Sequence, residues 1–475
     1  MISEPTDLAD FSAAALVRAY RRGQASPVEA VKAVLARIDA FDPAVNAFCW
    51  RDDEASLKAG ALSEARWARN EPMGRLDGVP ATIKDLLLMQ GAPTRRGSRS
   101  TDDAAAGEDS PATARLREAG AVLVGKTTTP EFGWKGVTDS PLTGVTRNPW
   151  NTGRTPGGSS GGASVAAALG MGALHVGTDG GGSIRIPSAF TGTFGLKPSF
   201  GRVPAYPMSP MGTVSHVGPM TRTVTDAAMM LSVMAQPDAR DWYGLPDLDG
   251  RDYTIGLEDG VRGLRVAYSR TLGYLDVDPA IAALVDDAVD VLGELGAIVE
   301  EADPGFEDPW ELFTTHWYAG AGKLLAAIPA ERLHLIDEGL RRVAAEGADI
   351  PLAAYLDVEA GRRALGVRMR AFHERYDLLV LPTLPLVAFE AGIEFPDALL
   401  QGRWTNWAGS MYPFNLTQQP AASCPAGLTP EGLPVGLQIV GPQYRDDLVL
   451  RAARAYESAR PFAMPKAPNV THQAG

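Results

Sequence analysis

The stretch "TPGGSSGGASVAAALGMGALHVGTDGGGSIRIPSAF", Thr155 to Phe190, decides the fold. It carries two glycine-wrapped serine sites, Ser159–Ser160 and Ser183. Its one histidine, His175, sits in an apolar run, so neither serine has an obvious acid–histidine partner nearby. From Thr155 to Thr178 there is no charge. A membrane span needs about 20 predominantly apolar residues. This run instead opens as a Gly/Ser loop, and Gly170, Gly172 and Gly177 interrupt the rest. Ala163 to Leu169 reads as a short, buried, small-residue helix.

Outward from this stretch, strand and helix patterns alternate. "SAAALVRAYRRG" predicts a helix stopped by Gly23. Ser26, Pro27 and Glu29 then predict a capping box opening "SPVEAVKAVLARIDAF". "GVPATIKDLLL" predicts an apolar strand with Lys84 near its end. "SPATARLREAGAVLVGKT" predicts a helix stopped at Gly120, then a strand. Past Phe190, "GTFGLKPSFGRVP" reads as turns and "TVTDAAMMLSVMA" as a helix capped around Thr225. "GLRVAYS", "DPAIAALVDDAVDVLGELG" and "AIVEEA" predict a β–α–β unit with Asp278 as N-cap and Gly296 as stop. Helical patterns run on to about His373, followed by a buried strand in "YDLLVLPTLP". "GLPVGLQIVGP" is a strand-pair signal, and "DDLVLRAARAYESA" a closing helix. The fold class is therefore α/β. With no repeat, linker or hinge, residues 1–475 are expected to form a single large domain.

Composition narrows the partners. The net charge of -13 argues against nucleic acid and against an anionic membrane surface, both of which need a basic patch. Cys49 and Cys424 are the two cysteines and lie far apart, so no disulfide framework or CxxC knuckle is expected, and a cytoplasmic setting fits. His175, His216, His316, His334, His373 and His472 show no metal-ligand spacing. No metal and no cofactor are expected. "MISEPTDLADF" carries early acids and no basic run, so no signal peptide is expected.

Three short motifs compete for the chemistry. "GAVLVGKT", Gly120 to Thr127, matches a phosphate-binding loop letter for letter. Its inner Ala-Val-Leu-Val is a buried strand and "TTPEF" is no helix entry, so Lys126 and Thr127 are read as a strand end. "GGSSG", Gly157 to Gly161, matches the nucleophile elbow of α/β-hydrolases, which needs a strand just before it. "RNPWNTGRTP" is loop, so this reading is demoted, with His216 or His316 as its possible partners. "DGGGSIR", Asp179 to Arg185, lets successive N–H groups converge on one point, as an oxyanion hole requires. A serine still needs a base. Lys84, flanked by Ile83 and Leu86 to Leu88, is the candidate, provided burial depresses its pKa.

Taken together, these segments resemble the amidase signature family. "GVPATIKD" is similar to that family's G-V-P-x-x-x-K-D, "TPGGSSGGASVAAALG" to its G-G-S-S-G-G loop, and "GTDGGGSIRIPSAFTGTFGLKPS" to its G-T-D-x-G-G-S-I-R block. The likeness continues through "GPMTRTVTDAAMML" and returns in "PAGLTPEGLPVGLQIVGP". It implies a mixed central sheet covered by helices, with a signature core at about 75–225. A more variable helical part would follow at about 235–375, and a return to the core at about 376–460. It implies Ser183 as nucleophile, Lys84 as base, and Ser159, 24 positions before Ser183, as the bridge between them, preceded by a cis peptide. It implies an oxyanion hole from the N–H groups of Gly180, Gly181, Gly182 and Ser183. Gly180 departs from the family pattern, where Ile or Thr is commoner, and a looser loop is expected there.

The activity implied is hydrolysis of a carboxylic amide through an acyl-enzyme. Phe132, Trp134 and Trp407, the last in the aromatic-rich "GRWTNWAGSMYPFN", are expected to line a pocket for small aryl or alkyl amides. Asp179 and Arg185 flank the loop, pairing structurally or holding an acidic substrate. Two alternatives stay open: a glutaminase of the glutamyl-tRNA amidotransferase A type, and an esterase of α/β-hydrolase type. A small-molecule substrate is expected, and a homodimer by family habit.

Overall fold

Ser26 accepts from the Glu29 N–H while the Glu29 carboxylate accepts from the Ser26 N–H, and the helix Pro27–Val45 starts as its sequence requires. The computed structural model describes residues 7–246, 250–396 and 402–470. His472 and the first six residues of the N-terminal stretch lie outside them.

In chain order the strands are β1 (Phe48–Arg51), β2 (Pro80–Lys84), β3 (Val122–Thr127), β4 (Asp139–Ser140), β5 (Gly144–Val145), β6 (Leu174–Asp179) and β7 (Phe194–Lys197). They continue as β8 (His216–Thr221), β9 (Arg265–Tyr268), β10 (Ile298–Glu301), β11 (Leu378–Pro382), β12 (Ala421–Leu428) and β13 (Pro434–Val440). Apart from the small β4–β5 pair, they form one 11-stranded mixed sheet in the order β1-β3-β2-β6-β8-β7-β12-β13-β11-β9-β10. The parallel pairs β3–β2–β6 and β11–β9–β10 flank an antiparallel centre. β2, β3 and β6 are buried along their whole length, as expected of parallel strands covered on both faces. An aliphatic cluster and a second cluster rich in aromatic rings form the core.

The sheet positions two loops. Lys84 is the last residue of β2, and Asp179 the last of the neighbouring β6. Ser159 and Ser160 lead into the helix Gly161–Ala168, and Ser183 into Arg185–Thr191. All converge at the carboxyl ends of β2 and β6, where open α/β sheets place ligands.

The predicted elements correspond closely to those observed, with three corrections. The helix Val224–Met234 is capped by Thr223, whose hydroxyl accepts from Asp226 N at 3.2 Å, rather than near Thr225. The turn-rich "GTFGLKPS" contains the buried strand β7. The strand pair near the C-terminus is β13 with β12, which begins earlier, at Ala421. Lys126 and Thr127 do end a strand, and Lys126 pairs with Asp85 at 2.8 Å.

Candidate active site

Lys84 is fully buried. Its Nζ lies 2.6 Å from Ser159 Oγ, 2.8 Å from Ser160 Oγ and 2.9 Å from Thr178 Oγ1. These three hydroxyls replace water around the amine. Burial pushes the Lys84 pKa well below the ordinary lysine range, and the nearby Asp179 charge opposes that push without reversing it. The amine, its charged form disfavoured by burial, is thus held in contact with a hydroxyl. The Gly158–Ser159 peptide is cis. Ser160 N donates to the Ser183 carbonyl at 3.1 Å, tying the two serine loops together. Ser160 Oγ donates to the Thr178 carbonyl and accepts from Thr178 N, so it braces β6 beside Lys84. Ser183 is 4% exposed, and its hydroxyl has no hydrogen-bond partner among the described residues.

The loop from Asp179 to Ser183 is shaped by the Asp179 carboxylate. It accepts from Gly182 N at 2.8 Å and Ile184 N at 3.2 Å, and pairs with Arg185 Nε at 2.9 Å and Nη2 at 3.0 Å. Burial opposes the Asp179 charge, but Arg185, with Lys197 and Asn415, outweighs it and holds the carboxyl well below its usual range. This corrects one expectation: the Gly182 N–H is committed to Asp179. The N–H groups of Gly180, Gly181 and Ser183 find no acceptor among the described residues and are the donors left free.

The glycines are also demanded by packing. A Cβ on Gly180 would meet the Trp317 ring at 2.8 Å, and one on Gly181 would meet Phe313 at 2.5 Å and Trp404 at 2.8 Å. One on Gly182 would strike Met411 at 2.6 Å. The ring of Trp317 thus occupies the space beside Gly180, which counters the expected looseness.

Arg185 serves the fold rather than a ligand. Besides Asp179, it donates to Met411 O, Gln438 Oε1 and Asn415 Oδ1. Its five N–H donors are all used, inside a fully buried cluster. Of the two roles expected of Asp179 and Arg185, structural pairing or holding an acidic substrate, these contacts fit the structural pairing.

The aromatic expectations divide. The Phe132–Gly133 turn lies on the serine cluster: a Cβ on Gly133 would be 3.3 Å from Ser159 Oγ. Phe132 takes φ 51° there and is partly exposed. Trp134 is buried, and its carbonyl accepts from Trp317 Nε1 at 3.1 Å. Trp407 packs instead against Phe190 and Phe389 in the core, and donates to the Glu394 carbonyl. Its neighbour Trp404, with Phe313 and Trp317, faces the glycine loop. Phe313 and Trp317 escaped the sequence reading. They stand four residues apart on one face of the helix Trp310–Leu325, but nothing in that pattern says what the face covers.

The histidines of the alternative reading are engaged elsewhere. His216 Nδ1 lies 2.8 Å from the Val214 carbonyl, and His316 Nε2 3.0 Å from the Met211 carbonyl. No strand precedes Ser159, as a nucleophile elbow would require. Among the described residues no group of His, Cys, Asp and Glu could hold a metal ion, and no helix is long and apolar enough to cross a membrane.

A buried amine with a depressed pKa touching a hydroxyl, beside free backbone donors, is the equipment of acyl transfer. The comparisons with known proteins agree. A family model described as Amidase matches residues 29–450. An acylamidase of Rhodococcus erythropolis is 37% identical over 461 residues, covering 95% of this chain and 96% of the relative. The A-type glutamyl-tRNA(Gln) amidotransferase component of Myxococcus xanthus is also 37% identical, over 97% of this chain and 99% of its own. Among solved structures, a bacterial aryl acylamidase superposes with a TM-score of 0.89 at 32% identity, covering 96% of this chain and 98% of that one. The chain belongs to the amidase signature family. It is an amidohydrolase of that family, with the α/β fold of its structural neighbours.

Proposed function

We propose that the protein is a stand-alone amidase that cleaves small aryl or alkyl amides through an acyl-enzyme on Ser183. The observation that carries this reading is the 2.6 Å contact between the buried Lys84 amine and Ser159 Oγ. Neutral Lys84 takes the Ser159 proton as Ser159 takes that of Ser183. Ser183 Oγ then bonds to the amide carbon, and the carbonyl electrons move onto oxygen. That oxyanion rests on the N–H groups of Gly180, Gly181 and Ser183. As it collapses, the C–N bond breaks and the proton returns from Lys84 through Ser159 to the leaving nitrogen. Water then gives a proton to the same relay and attacks the ester, and Ser183 leaves as its hydroxyl.

The rings of Phe313, Trp317 and Trp404 against the glycine loop favour an apolar acyl group, as does the likeness to an acylamidase and an aryl acylamidase. A second reading rests on the A-type amidotransferase relatives, of which the first is 37% identical. It predicts glutamine as substrate and dependence on partner proteins.

One experiment separates the two. Ammonia or amine release is measured from aliphatic and aromatic primary amides, an anilide and glutamine, with wild type and Ser183→Ala. Turnover of an aryl or alkyl amide that disappears in Ser183→Ala is expected. Turnover of glutamine alone, or of nothing without added partners, would overturn the stand-alone reading.

A further inference from the structure

The loop that carries the free N–H groups starts from Asp179, the last residue of β6, and β6 lies between β2 and β8. Asp179 is the register partner of His216, the first residue of β8. The Asp179–Gly180 peptide is trans, for the two cis bonds lie at Gly158–Ser159 and Tyr206–Pro207. In a trans peptide the C=O and the N–H point in opposite directions. Whatever fixes the Asp179 carbonyl therefore aims the Gly180 N–H.

Two side chains fix it. His216 Nδ1 lies 3.1 Å from the Asp179 carbonyl oxygen and 2.8 Å from that of Val214. Both oxygens only accept, so Nδ1 carries the ring proton. Asn415 Nδ2 donates to the same two carbonyls, at 3.0 and 3.1 Å. His216 Nε2 is buried without a partner among the described residues, so a second proton there would be unmet. Burial, and after it the Lys197 cation, pushes the pKa of His216 well below the ordinary range. The Phe200 ring stands edge-on to the imidazole, 5.7 Å between centroids, and backs it in place.

The Asp179 carbonyl is thus held on the β8 side of β6. The Gly180 N–H points to the other side, where β2 ends in Lys84. The chain needs such a hold here, because Gly180, Gly181 and Gly182 follow one another and glycine restricts its own backbone least. The Asp179 carboxylate holds the Gly182 end of the run. We infer that His216 is a positioning residue for amide cleavage: its Nδ1–H pins the Asp179 carbonyl and so keeps the Gly180 N–H aimed at the oxyanion. The inference rests on the acyl-enzyme reading of Ser183. A peptide released from the pin could turn its carbonyl toward the oxyanion, which would repel it instead of stabilising it.

The test uses the full chain and whichever amide the Ser183 panel shows to be cleaved, at a temperature where melting curves show every variant folded. His216→Leu removes the donor. His216→Gln carries an amide out to the place of Nε2, whereas His216→Asn keeps an N–H donor in the place of Nδ1. A deleted oxyanion donor costs about 10²–10³ in kcat; with Asn415 still on the carbonyl, His216→Leu and His216→Gln should each lower kcat about tenfold with KM within about twofold, and His216→Asn should stay within about threefold of wild type. An amide cannot take up a proton, so turnover in His216→Asn also sets a donor apart from a base. Wild-type kcat in His216→Leu, or equal losses in His216→Asn and His216→Gln, would overturn the inference, while loss of turnover in Ser183→Ala would leave the acyl-enzyme reading standing. Full turnover in Ser183→Ala would overturn both.

Discussion

Lys84 has exchanged water for three hydroxyl oxygens, and that exchange sets its titration. Between its depressed folded pKa and the ordinary value near 10.5, the unfolded chain carries a proton at Lys84 that the folded chain lacks. Stability therefore rises with pH across that window, by about 1.4 kcal/mol per pH unit for one such group. Lys84→Met deletes this term, while the equally buried Lys197, also depressed, keeps its own. From about pH 7 to about pH 9 the melting temperature of wild type should climb more steeply than that of Lys84→Met. Equal slopes would mean that Lys84 is charged in the folded protein. The same depression bears on rate: Lys84→Ala should lower kcat by about 10²–10⁴-fold at neutral pH, the usual worth of a positioned base. Arg185 is the residue-scale counterpart for stability. Arg185→Gln strands the buried Asp179 carboxylate, and chemical denaturation should report a loss of about 3–5 kcal/mol. A loss below about 1 kcal/mol would show that the pair is dispensable.

At the scale of elements, what the sequence reveals depends on how each element is signalled. Caps were legible because they are local: Ser26 and Asp278 cap where their neighbours say they should. The helix Val224–Met234 was legible, but its start was misplaced by two residues, since Thr223 and Thr225 both offer a hydroxyl ahead of an apolar run. Only Thr223 makes the bond, so Thr223→Ala should cost about 1 kcal/mol and Thr225→Ala much less, by chemical denaturation. β7 was hidden because a strand buried on both faces, built from Phe-Gly-Leu-Lys, shows no alternation to read. The candidates Lys84, Ser159 and Ser183 were legible as a set through their family motifs. Their donors were not, because Gly182 is told apart from Gly181 only by where the Asp179 carboxylate turns. The rings facing the loop were hidden for a related reason: Trp404 and Trp407 share one short helix, and only packing decides which faces Gly181. Trp404→Ala should therefore raise kcat/KM for bulky acyl groups over small ones, whereas Trp407→Ala should chiefly lower stability.

The whole molecule is held together by the return of the chain to its own beginning. β12 lies between β7 and β13, so a segment after residue 420 supplies the strand next to the signature core. The same return delivers Asn415 and Gln438 to the buried Asp179–Arg185 pair. A chain ended at Arg375 would lose both. β7 would become an open edge, and Arg185 would be left with donors unmet in an apolar interior, costs that native sheets and cores avoid. If residues 1–475 are one folding unit, the shortened chain should be aggregation-prone, melt without a cooperative transition and show no amide turnover. Adding residues 376–475 as a separate chain during refolding should recover part of the activity. A cooperative melt in the shortened chain alone would instead mark residues 1–375 as a folding unit in their own right, with the C-terminal return as an accessory to it.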